Sequence, residues 1–104
     1  MRTFKRSLLA AAVLFIAPLP GRAADAVHGY YLAMRWCAAC HVVSADQKEA
    51  NADAPPFATI AKSRHFSVRG LAYFLLDPHP KMPELPLSRQ QADDIAAYVE
   101  SLRK

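Results

Sequence analysis

The chain has 104 residues and a formal net charge of +4, from 13 Lys and Arg against 9 Asp and Glu. Four of the basic residues, Arg2, Lys5, Arg6 and Arg22, precede Ala23. The remainder therefore carries nine charges of each sign, and this balance removes any electrostatic case for nucleic acid as a partner.

The N-terminus has the pattern of a secretory signal. Met1 to Arg6 is basic, Ser7 to Gly21 is uncharged with an apolar centre at Leu8 to Ala17, and the small residues Gly21-Arg22-Ala23-Ala24-Asp25-Ala26 follow. Cleavage after Ala23 leaves Gly21 and Ala23 at the two recognition positions; Ala26 offers a second site. The competing reading is an uncleaved anchor, but the run falls short of the ~20 apolar residues a spanning helix needs, and Pro18 and Pro20 interrupt it. The expected organisation is a removed signal over 1–23 and one domain over 24–104 in the periplasm, with no membrane span after removal. A domain of this size usually needs a staple such as a disulfide, a metal or a cofactor.

Asp25 to Trp36 reads as the first helix, with Val27, Tyr30, Tyr31 and Met34 at i, i+3, i+4 and i+7 as its apolar face. Gly29 costs such a helix about 1 kcal/mol relative to Ala, and a close helix crossing is one reason to keep it. Met34, on the helix face, reads as a gap filler.

Cys37-Ala38-Ala39-Cys40-His41 comes next, the C-x-x-C-H spacing of a c-type haem attachment site. Two thiols at this spacing can each add to one haem vinyl group, and the following imidazole can reach the iron from the proximal side. The two alanines between the cysteines are small enough to leave the porphyrin unobstructed. Cys37 and Cys40 are thus expected to carry one covalent haem, and His41 to ligate its iron. The same two thiols cannot also form a disulfide.

His41 to Asp53 is polar and aperiodic, a loop. Pro55-Pro56 fixes an extended turn before the short apolar piece Phe57 to Ala61. Ser67 can cap a second helix to about Asp77, with Val68, Leu71, Phe74 and Leu75 as its buried face and Pro78 as its stop. From Pro78 to Pro86 four prolines in nine residues exclude helix and central strand and stiffen a loop. Ser88 opens the last helix with the capping box Ser88-Arg89-Gln90-Gln91, and Leu87 can staple onto Ala92. Ala92, Ile95, Ala96, Val99 and Leu102 form its stripe with Tyr98 beside it, and Arg103 and Lys104 complement its negative end. No alternating strand pattern occurs, so the class is all-α.

Met82, between Pro80 and Pro83 in that stiff loop, is the candidate second axial ligand: a neutral thioether suits haem iron and raises its potential. His79 competes for the position, and bis-His ligation would lower the potential; His28 and His65 read as surface or satisfied histidines. A proximal His needs a partner for its other ring N–H, and the Pro55-Pro56 turn can offer a backbone carbonyl.

With these motifs in hand, the chain resembles a class I cytochrome c of the small monohaem bacterial kind, over essentially all of residues 24–104. Gly29 matches the family's helix-one glycine, Ile95 and Tyr98 the helix that crosses it, Cys37, Cys40 and His41 the attachment motif, and Met82-Pro83 the distal Met-Pro. Ala54-Pro55-Pro56-Phe57 resembles the family's Gly-Pro turn, with Ala54 where Gly is usual, and the carry-over puts the carbonyl partner of His41 at Pro55. The resemblance implies the cytochrome c fold, three main helices plus loops around one haem c. It also implies a monomeric one-electron carrier rather than an enzyme, working between redox proteins such as a dehydrogenase, an oxidase or a cytochrome bc-type donor or acceptor. A dedicated cytochrome subunit of a periplasmic dehydrogenase or oxidase is the alternative within this class, and Lys81 could help dock an acidic partner.

Trp36-Cys37-Ala38-Ala39-Cys40 also resembles the W-C-x-x-C of thiol–disulfide oxidoreductases. That motif belongs near a βαβ pattern, and no strand precedes Trp36. A zinc site lacks a His-x₃₋₅-His pair to complete it.

Overall fold

The computed structural model describes residues 11–18, 22–48, 50, 53–78 and 80–104. The basic start of the expected signal, Met1 to Arg6, lies outside the described residues. The part of its apolar centre that is described adds nothing to the core: Val13, Leu14, Phe15 and Ile16 are all exposed and without regular structure.

Four helices occur among the described residues, and no strand: α1 Ala26–Trp36, α2 Phe57–Ala61, α3 Val68–Leu76 and α4 Arg89–Ser101. Their boundaries follow local chemistry. The Asp25 carboxylate accepts the His28 N–H at 3.0 Å and starts α1. Ser67 caps α3 through the Gly70 N–H at 3.0 Å. Ser88 and Gln91 cap each other reciprocally at the start of α4, the expected capping box. Pro56, with φ −57° and ψ 146°, turns the chain into α2.

The last helix is the hub. It packs most extensively on α1, then on α3, then on α2. Ala92, Ile95, Ala96 and Val99 on α4 are fully buried, as expected from its stripe. Tyr98 is buried with them and meets Tyr30 edge-on at 5.5 Å between ring centroids.

The face of α1 differs from the periodic reading. Val27, Tyr31 and Met34 are exposed, at 68, 65 and 39%, so Met34 fills no core gap. The buried positions are Gly29, Leu32 and Ala33, with Trp36 half-buried on the same side. These also fall at i, i+3, i+4 and i+7, but the stripe begins on a glycine that has no side chain to register as apolar. Close approach decides the choice of face. A Cβ built at Gly29 would sit 1.9 Å from the Asp94 carbonyl oxygen, so only glycine lets the two backbones meet there.

On α3, Ala72 and Leu75 are buried, while Val68 and Leu71 are only half-buried and Phe74 is 39% exposed. Leu71 and Phe74 line a cavity, and Leu71 also packs against the core. Asp94 on α4 is 2% exposed yet fully partnered. It accepts the Asp25 N–H at 2.8 Å and the Gln90 amide at 2.9 Å, and pairs with His28 Nδ1 at 2.7 Å. Burial pushes its pKa up, but the Asp25 N–H, His28 and Gln90 outweigh that and hold it below the ordinary carboxylate value.

Candidate functional site

The attachment motif forms where α1 runs out. The Cys37 N–H donates to the Ala33 carbonyl at 2.8 Å as the helix cap. The next turn closes through Cys40 N–H and His41 N–H, both donating to the Cys37 carbonyl, at 3.1 and 2.8 Å. One tight turn therefore aims Cys37, Cys40 and His41 into the same cavity, of about 670 Å³. That volume lies in the range of small-molecule and cofactor sites.

The wall is mostly apolar. Trp36, Ile60, Phe66, Leu71, Phe74 and Leu85 contribute to it, with Met82 and Pro83 from the proline-rich loop. A smaller hollow of about 40 Å³ is lined by Cys37, His41 and Met82 together with Ile95 and Val99 of α4. Polar atoms reach the large cavity from Asp53, Ser63, His65, Ser67 and Lys81.

His41 is held in one orientation. Its Nδ1 lies 2.7 Å from the Pro55 carbonyl oxygen, and its ring centroid is 5.3 Å from that of Phe57. A carbonyl can only accept, so Nδ1 is the donor in this bond, and in the neutral ring that leaves the lone pair a metal ligand needs on Nε2. The turn is itself anchored, because the Phe57 N–H donates to the Val42 carbonyl at 2.9 Å.

The two thiols have different surroundings. Cys37 is buried, and burial together with the neighbouring Cys40 pushes its pKa up to about 11. Cys40 is exposed. Met82 is half-buried in the loop between α3 and α4. All five residues singled out from the sequence, Cys37, Cys40, His41, Pro55 and Met82, line this cavity.

His28 is far from this role, since its ring is spent on Asp94. His65 lines the cavity wall. His79 lies outside the described residues. Among the described residues, no group of three or more His, Cys, Asp or Glu side chains is arranged to hold a metal ion.

Sequence reasoning missed Gln47. Its side-chain amide donates to the carbonyls of Ala38 and His41, each at 2.8 Å, and accepts the Val43 N–H at 3.0 Å. Nothing in a polar, aperiodic stretch marks one glutamine among its neighbours. The Tyr98 hydroxyl likewise donates to the Val43 carbonyl, tying α4 to the segment that follows His41.

Comparison with known proteins agrees with the motifs. The sequence model described as cytochrome c matches residues 26–103. The chain is 63% identical over 81 residues to cytochrome c-552 of Bradyrhizobium diazoefficiens, an alignment covering 78% of each protein. No solved structure matches it.

Proposed function

This chain belongs to the cytochrome c family, and from that premise we propose that Cys37 and Cys40 would hold its haem through thioethers and that His41 and Met82 would ligate the iron. The protein is an electron carrier with covalently bound haem c, a class that exchanges electrons with redox partners. When bound, the haem supplies a one-electron ferric–ferrous couple. The residues present fit that group: one mostly apolar cavity gathers two thiols, an imidazole oriented through its Nδ1 and a thioether.

The single observation that carries the assignment is the bond between His41 Nδ1 and the Pro55 carbonyl at 2.7 Å. It orients the ring and, in the neutral imidazole, leaves Nε2 as the nitrogen available for a metal in the cavity that His41 and Met82 both line. Cys37 and Cys40 bind and orient. Ile60, Leu71, Phe74 and Leu85 give the cavity apolar walls that would shield a bound haem from water. Held by both His41 and Met82, a bound haem would supply one-electron transfer, the chemistry these residues fit.

Further readings are part of the same proposal. Residues 1–23 act as a signal removed on export, and the mature domain works in the periplasm as a monomeric shuttle. Its donors and acceptors are other redox proteins, of the dehydrogenase, oxidase or cytochrome bc type. No helix among the described residues is long and apolar enough to cross a membrane.

The test is direct. Haem should stay with the denatured chain through acid–organic extraction; haem released to the solvent would overturn the thioether assignment. Met82→Ala should abolish the weak far-red absorption of a Met-ligated ferric haem, and His79→Ala should leave it intact. The opposite pattern would move the distal ligand to His79.

A further inference from the structure

We infer that Gln47 is a positioning residue for His41, and that its amide tunes the reduction potential through the carbonyl of the proximal ligand. This rests on His41 being that ligand.

The Gln47 amide engages both its donor and its acceptor ends. A glutamine side chain offers two N–H donors and one carbonyl acceptor. Gln47 Nε2 donates to the Ala38 and His41 carbonyls at 2.8 Å each, and its Oε1 accepts the Val43 N–H at 3.0 Å. The backbone is placed for this reach, since the Gln47 N–H donates to the Ser44 carbonyl at 3.2 Å and closes a turn. One side chain thus clasps the interior of the Cys37–Cys40 turn, the proximal residue and the segment just beyond it.

His41 is then held at three points. Its N–H is fixed on the Cys37 carbonyl, its carbonyl on Gln47, and its ring on the Pro55 carbonyl. The first point sets where the residue starts and the third sets the imidazole plane. Gln47 supplies the middle one, which stops the peptide after His41 from rotating and carrying the ring away from Pro55. A strong bond from Nδ1 to a carbonyl makes the imidazole a more basic ligand and favours ferric iron. Loosening it favours the ferrous state.

The experiment compares holoproteins carrying Gln47→Met, Gln47→Asn and Tyr98→Phe. Gln47→Met keeps length and loses all three bonds. Gln47→Asn keeps the amide on a stem too short to span them and is the milder change. Tyr98→Phe removes the other side-chain bond to the same segment, on the Val43 carbonyl, and leaves the His41 carbonyl partnered. Redox titration and the paramagnetically shifted proton resonances of the His41 ring are read for each.

At an ambient potential equal to the wild-type midpoint, the ratio of reduced to oxidised protein should rise several-fold in Gln47→Met and less in Gln47→Asn. The ring resonances should move while the far-red Met band stays. Tyr98→Phe should lower thermal stability with no change in ratio or resonances. If the glutamine variants also change stability alone, the inference is overturned and Gln47 merely holds the loop. If Gln47→Met yields no holoprotein, Gln47→Asn decides by the same readouts. A wild-type protein without the far-red band, or with extractable haem, would overturn the ligand assignment itself and not the clasp.

Discussion

The seam between α1 and α4 and the cavity under α3 solve the same packing problem in opposite ways. At the seam, Gly29 and Ala33 meet a helix whose Ala92, Ile95 and Ala96 are sealed from solvent, and the backbones touch closely enough that a single methyl group has no room. Across the cavity, Ile60, Leu71, Phe74 and Met82 turn large apolar side chains toward a space of about 670 Å³ that no other side chain fills. Small residues close one half of the core, and large residues leave the other half for a planar group to complete. A small domain that divides its interior this way depends on its cofactor for cohesion on one side and on its own backbone for the other.

The strongest way to break that contrast is to take the thiols away. In the double variant Cys37→Ala/Cys40→Ala, α3 should lose amide protection against hydrogen exchange while α1 and α4 retain it. Equal loss in both regions would show that the seam has no stability of its own. Next in size, Gly29→Ala should destabilise the holoprotein by about 1–3 kcal/mol or more, because the Cβ overpacks against the Asp94 carbonyl. Denaturant unfolding would measure this, and the far-red band should be unmoved. A variant as stable as wild type would mean that the helices can shift apart at no cost.

The smallest of the three concerns Asp94. Its pKa is held below the ordinary aspartate value of about 3.9, so the stability it contributes is full above that value and is lost as pH falls through the folded-state pKa. Asp94→Asn should cost about 1–2 kcal/mol at neutral pH, where hydrogen bonds to a charged group are lost or weakened. The gap to wild type should close below about pH 4. A gap independent of pH would assign the contribution to packing alone.

The residues that come together in the candidate site were legible where chemistry forces spacing. Two thiols and an imidazole at C-x-x-C-H, a methionine between prolines, and serine caps before α3 and α4 all have few other uses. The fold class and helix boundaries followed from the same local signals. The burial face of α1 was not legible, because hydrophobic periodicity weighs Val27, Tyr31 and Met34 and gives nothing to Gly29, although backbone approach at Gly29 sets the rotation of the helix. Phe74 misled in the converse sense: it is apolar and turned inward, but toward the cavity. Asp94 and Gln47 were invisible for a third reason. Each matters through partners distant in sequence or through main-chain atoms, which every residue possesses alike.

The cap of α1 bears on where the proposed signal could be cut without cost to the fold. Asp25 contributes two things to the folded domain, a carboxylate over the first turn and a backbone N–H on the buried Asp94. A leader peptidase cutting after Ala23 would leave both intact, with Ala24 as the new amino terminus. A cut after Ala26 would discard them and strand Asp94 without its main-chain donor. The two candidate bonds are only three residues apart, but cutting them would give products of different robustness, and the intact mass of a processed chain would tell them apart.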